Sequence, residues 1–73
     1  MQSIKIKLDT IEKVKAFVNV ISRIGGDFDL SHSRYVVDAK SIMGVISLDL
    51  TQVLTLTSVN GDIDESVFKD FIA

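Results

Sequence analysis

Apolar and polar residues change their spacing several times along the chain, and each change marks a new element. In "SIKIKL", Ile4, Ile6 and Leu8 alternate with Lys5 and Lys7. A period of two with one apolar side predicts a half-buried strand over 3–8. The spacing then widens. Ile11, Val14, Phe17, Val18, Ile21 and Ile24 recur at three and four residues, one stripe of an amphipathic helix. Asp9 with Glu12 three positions later reads as a capping box at its start, and Gly25-Gly26 as its left-handed stop. "DFDLSHSRYVVDA" predicts a hairpin reversing at Ser33-Arg34. Phe28, Leu30 and His32 share one face of its first strand; Tyr35, Val37 and Ala39 share one face of its second. "SIMGVISL" predicts a short helix with Ser41 as N-cap and with Val45 and Leu48 as the residues best suited to burial. Gly44 inside it costs up to ~1 kcal/mol of helix stability and needs another reason to be there. "TQVLTLTSV" alternates again and predicts a strand; "NGD" is a turn. "DIDESVFKDFIA" predicts a closing helix, capped by Asp62 or Asp64, with Val67, Phe68, Phe71 and Ile72 as its apolar side.

The order strand, helix, strand, strand, helix, strand, helix specifies an α+β fold: an open-faced two-layer sandwich. Its four-stranded antiparallel sheet would carry three helices on one face, in a single domain over 1–73. Composition narrows the chemistry. The chain is 73 residues long and 47% hydrophobic, enough for one small core and too apolar for a disordered segment. It has no cysteine and one histidine, so disulfides and thiolate metal sites are excluded and neither a metal nor a cofactor is expected. A net charge of −2 with interspersed signs argues against a nucleic-acid-binding face. Lys5, Lys7, Lys13 and Lys15 bias the N-terminal region positively, which reads as a solvated face. No apolar run reaches the ~20 residues of a membrane span, and the N-terminus lacks the apolar stretch of a signal peptide. A cytoplasmic protein is expected.

The block "AKSIMGVISL", Ala39 to Leu48, closely resembles the regulatory-serine segment of the HPr family, the small phosphocarriers of the bacterial sugar phosphotransferase system. "AFVNVISRIGGDFDL" is similar to the family's first helix and following strand, and "NGDIDES" sits where the family turns into its last helix. The resemblance spans 11–72, with the serine block its specific part. It implies the same element order. It also implies a regulatory serine at Ser41, phosphorylated by a dedicated ATP-dependent kinase in Gram-positive bacteria. Around it, Lys40, Ile42, Met43 and Ile46 would contact partner proteins.

The chain departs from that family at the phosphocarrier site, a histidine in a Leu-His-Ala-Arg-Pro motif before the first helix. Counting back from Phe17-Val18, Thr10 occupies the histidine position, Glu12 the arginine and Lys13 the proline. The loop leading in is also shorter. A threonine ester is not the labile phosphoryl donor that a phosphohistidine is, and Glu12 repels the dianion that an arginine would bind. The expectation is therefore a non-catalytic, Crh-like regulatory protein of carbon-catabolite control, not an enzyme. An HPr-type kinase, a transcriptional regulator and phosphotransferase components are the expected partners. Two alternatives stand beside it: a phosphocarrier with an atypical acceptor, and an assembly domain. For the assembly domain, the short first connection favours strand exchange and a homodimer. His32, on a strand near the hairpin turn, reads as an ordinary sheet residue. Thr10 and Asp9 read as helix caps, and Ser41 as a cap first, whatever else it does.

Overall fold

The computed structural model describes residues 2–73. Strands β1 (Gln2–Ile6), β2 (Phe28–His32), β3 (Tyr35–Asp38) and β4 (Leu54–Ser58) join in one sheet of order β1-β4-β2-β3. Every neighbouring pair is antiparallel. Helices α1 (Ile11–Ile21) and α2 (Ile42–Ile46) and a closing 3₁₀ turn (Glu65–Phe68) complete the chain.

Register puts the alternating apolar residues on one side. Ile4 faces Leu56 and Ile6 faces Leu54; Leu30 faces Leu56 on its other flank and Val37 beyond. β4 runs between β1 and β2, so Leu54 and Leu56 are fully buried while Thr55 and Thr57 turn to the other face. That face has no helix over it. It carries Ser3, Lys5, Thr55 and Thr57, linked by Lys5 Nζ donating to Thr55 Oγ1 (2.7 Å) and by a Ser3–Thr57 hydroxyl pair. Val14, Phe17 and Ile21 of α1 pack on the apolar face. Phe17 meets Phe68 at 6.0 Å between ring centroids and Phe71 edge-on at 5.7 Å, spacings at which aromatic pairs attract.

Several expectations need correction. The last segment is not a third helix. Asp64, not Asp62, caps a single 3₁₀ turn by accepting from the Ser66 N–H. The chain then straightens, because Phe71 must reach Phe17 and its carbonyl accepts from the Lys7 N–H (2.8 Å). Ile72 bridges Ile6, and the Ala73 N–H donates to the Lys5 carbonyl. These bonds line the outer edge of β1. Pairing of β1 with β4 ends at Ile6, opposite the first residue of β4, short of the expected Leu8, although Leu8 is fully buried. Of the expected apolar side of the last segment, Phe68 and Phe71 are buried while Val67 and Ile72 stay exposed.

The first helix also starts and stops differently. Thr10, not Asp9, is its N-cap, its hydroxyl accepting from the Lys13 N–H at 3.1 Å. Glu12 then falls one position short of the place a capping box requires. Asp9 instead pairs with Lys13 one helical turn on. The helix ends at Ile21, before the glycines, where the Ser22 hydroxyl donates to the Val18 carbonyl and 3₁₀-type bonds tighten the exit. Gly26 alone takes a positive φ, +91°, in the loop that follows. Ile11, at the first turn, is exposed and not part of the core stripe.

Candidate functional site

The chain enters α2 through a turn pinned on one carboxylate. Asp38 Oδ1 accepts from the Lys40 N–H (2.9 Å), and the Asp38 carbonyl accepts from the Ser41 N–H (3.0 Å). Ser41 is thereby held in the extended conformation of an N-cap. Its Oγ accepts from the Gly44 N–H at 3.2 Å, and its carbonyl starts the helical ladder by accepting from Val45. The first turn of α2 contains no acidic residue.

This helix divides its five residues sharply. Val45 is fully buried and Leu48, just beyond the C-cap, nearly so. Ile42, Met43 and Ile46 are 38%, 76% and 43% exposed, an apolar cluster on a solvent-facing helix. Gly44 lets this helix sit close to the sheet. A Cβ there would lie 3.2 Å from Val37 Cβ on β3, closer than ordinary van der Waals contact. The glycine thus trades helix propensity for close approach, the packing reason that its presence requires.

Lys40 reaches inward as much as outward. Its ammonium donates to the Ile24 carbonyl after α1 and stands 5.8 Å from the centroid of the Phe28 ring, within cation–π range. It ties the loop after α1 to the entry of α2, a structural use that its residue type did not announce.

Thr10 stands at the N-terminus of α1 with its hydroxyl engaged as the cap. Residues 7–10 make the whole connection from β1, so the short loop expected from the sequence is present. His32 is half-buried at the end of β2, opposite Tyr35. It lines a surface depression with Ser33, Tyr35, Ser47, Leu48 and Asp49. Hydrogen bonds from the Thr51 side chain and then its N–H hold the Asp49 carboxyl below its ordinary 3.8, with a smaller contribution from the charge of His32. The sequence reading missed this depression and the turn on Asp38. The signal for both was an aspartate whose side chain bonds the backbone two residues on, in "LDLT" and "VDAK". Among the described residues no group of three potential ligands converges on a metal position, and no helix is long and apolar enough to cross a membrane.

The arrangement of strands and helices matches a solved structure, described as "Crystal structure of HPr-C-His from Thermoanaerobacter tengcongensis". The TM-score is 0.75 with 28% sequence identity, covering 94% of this chain and 84% of that one. The fold is HPr-like. No protein-family model matches the chain, and a search of curated proteins gives no match. The HPr-like architecture supports the α+β expectation, with two helices and a 3₁₀ turn in place of three helices.

Proposed function

We propose that this chain is a regulatory binding protein related to the sugar phosphotransferase or carbon-catabolite-control system, not a phosphocarrier. Ser41 is its modified residue, and Ile42, Met43 and Ile46 are its partner surface. The observation that carries this reading is the composition of α2: a capping hydroxyl followed within one turn by exposed apolar side chains. Exposed isoleucine and methionine suit an adaptable protein-binding surface. Lys40 anchors the entry to that surface through the Ile24 carbonyl.

Phosphorylation fits the same place. The Ser41 oxygen would attack the γ-phosphorus of ATP, the bond to the β-phosphate oxygen would break, and ADP and the hydroxyl proton would leave. The resulting dianion would meet first-turn N–H groups and no nearby carboxylate on α2. An HPr-type kinase is the modifying partner and a transcriptional regulator the reader of the modified form, in the cytoplasm of a bacterium.

Phosphocarrier activity is not part of this function. Thr10 uses its hydroxyl as a cap. Glu12, in the first turn of α1, would repel a phosphate at that end. The histidine of the chain, His32, lies in the hairpin and not at a helix N-terminus. The test is incubation with an HPr-type kinase and ATP, followed by mapping of the phosphate by mass spectrometry, with Ser41→Ala as control. Phosphate on Ser41 that disappears in the variant is the expected result; an unmodified Ser41 refutes the regulatory reading. In parallel, incubation with phosphoenolpyruvate and the first enzyme of the phosphotransferase system is expected to yield no acid-labile phosphoprotein.

A further inference from the structure

The two edges of the sheet are treated differently. The outer edge of β1 is covered by the chain itself, through the Phe71 carbonyl, the Ile72 bridge and the Ala73 N–H. The outer edge of β3 has no such cover among the described residues. The Ala39 N–H donates to the Phe28 carbonyl directly opposite. By the alternation of an antiparallel ladder, Val37 and Tyr35 then also face β2, while Val36 and Asp38 direct their backbone groups outward. The Asp38 carbonyl is taken by the Ser41 N–H. The N–H and carbonyl of Val36 and the N–H of Asp38 remain on an open edge. Its centre is apolar, with Tyr35 and Val36 64% and 62% exposed, while the charges of Arg34 and Asp38 flank it.

Charge supplies the second observation. Asp38 stands directly opposite Asp29 of β2 on the face without helices. Like charges at such a position are unfavourable. The ion pair found among the described residues is Lys13–Asp9, far from this one, and among the described residues no cation stands within ion-pair distance of the two carboxylates. Arg34, in the hairpin turn one residue before β3, is exposed and stands two positions from Val36 in the sequence.

We propose that β3 is a self-docking edge, on which two copies of this chain pair antiparallel about a two-fold axis at Val36. That register joins the Val36 N–H and carbonyl groups reciprocally. It sets Arg34 of each copy opposite Asp38 of the other, beside Asp29, and Tyr35 opposite Val37. The strand is therefore complementary to its own reverse in hydrogen bonding, in charge and in the aromatic–aliphatic pairing that stabilises neighbouring strands. Two four-stranded sheets become one continuous sheet. The edge is only four residues long, so the association is weak and depends on concentration.

Analytical ultracentrifugation of the wild-type chain from micromolar to millimolar concentration, with hydrogen exchange read by NMR, tests this. The wild type is expected to shift towards dimer as concentration rises, with the Val36 and Asp38 amides slowing in step. Arg34→Asp and Asp38→Arg each replace two attractive pairs by two repulsive ones, and should each weaken self-association at least about tenfold. An equimolar mixture of the two variants restores both attractive pairs and should dimerise where neither does alone. A wild type that stays monomeric throughout overturns the proposal, as it would if this edge instead receives a strand of another protein. So does a dimer indifferent to both variants, which places the interface elsewhere. Failure of the mixture to associate overturns the two-fold register. Unchanged exchange at Val36 and Asp38 overturns it without any variant.

Discussion

Replacing Gly44 with alanine sets helix propensity against packing. Alanine is favoured over glycine by up to about 1 kcal/mol in a helix interior, and α2 is short enough that the full value is an upper limit. Against this, the new methyl would stand 3.2 Å from Val37 Cβ, where ordinary contact begins at 3.4 Å. Its distances to Ser41 Cβ and Oγ are 3.5 Å, so the cap itself is not disturbed. Val37 Cβ is not the free end of a side chain. It is fixed to a backbone paired with Leu30, and relief requires α2 and β3 to move apart by a few tenths of an ångström. Overpacking of this kind costs about 1–3 kcal/mol. The net expectation is a loss of about 0–3 kcal/mol, from the difference of those two terms. Urea denaturation measures it, as a lower midpoint at unchanged m. A cycle with Val37→Gly isolates the cause by removing the atom that the methyl meets. In that background Gly44→Ala should be neutral or stabilising, a coupling of about 1 kcal/mol. A wild-type background stabilised by Gly44→Ala refutes the close-approach argument. The same loss in both backgrounds refutes the role of Val37.

Three further outcomes follow from the bonds described above. Ser41→Ala removes the acceptor of the Gly44 N–H and should cost about 1 kcal/mol, read as a fall in Tm of about 4–8 °C; Ser41→Asp, which keeps a capping oxygen, should retain most of the wild-type stability. Phe17→Ala empties the centre of the aromatic cluster and should cost about 3–5 kcal/mol out of a total of about 4–11 kcal/mol for a domain of this size, so urea denaturation should show a strongly lowered midpoint, with a much smaller fall for Phe17→Leu. Asp49 has its folded pKa lowered below 3.8, chiefly by the Thr51 hydroxyl. Its contribution to stability is therefore full above the unfolded value and lost as pH falls through the folded one. Thr51→Val should raise the Asp49 midpoint in an NMR titration towards the ordinary value, and an unmoved midpoint would contradict the assignment.

The architecture was legible because its determinants are local and repeated. Two-residue alternation marked all four strands, and the hairpin reversed at Ser33-Arg34 as expected, with Ser33 at a positive φ of 57°. The alternation could not reveal which strand would be central. That follows from the β1-β4-β2-β3 order, which depends on contacts remote in sequence. The end of the chain was misread for the same reason. Val67, Phe68, Phe71 and Ile72 have helical spacing, yet the fold needs Phe68 and Phe71 against Phe17 and Ile72 against Ile6. A helix of that length is marginal by itself, so those distant contacts decide the conformation. At the candidate site, the cap on Ser41 and the burial of Val45 could be read from spacing alone, whereas the hold of Lys40 on Ile24 could not.

Capping geometry alone does not distinguish Thr10 from Ser41, the residue proposed to be modified. Both are N-caps with extended backbone, and their oxygens accept from the third helical N–H at 3.1 and 3.2 Å. Their surroundings differ in the property that a phosphate would sense. Thr10 lies between Asp9 and Glu12, and the cation within reach, Lys13, is already paired with Asp9. A dianion there would add to two negative charges at the helix end. Ser41 opens a helical turn with no acid of its own, with one carboxylate, Asp38, in the entry before it, and stands directly before Ile42 and Met43. A charge placed there changes the potential of an exposed apolar surface without opposing its own helix. A partner reading that surface would therefore experience the modification directly, whereas the same modification at Thr10 would mainly weaken α1.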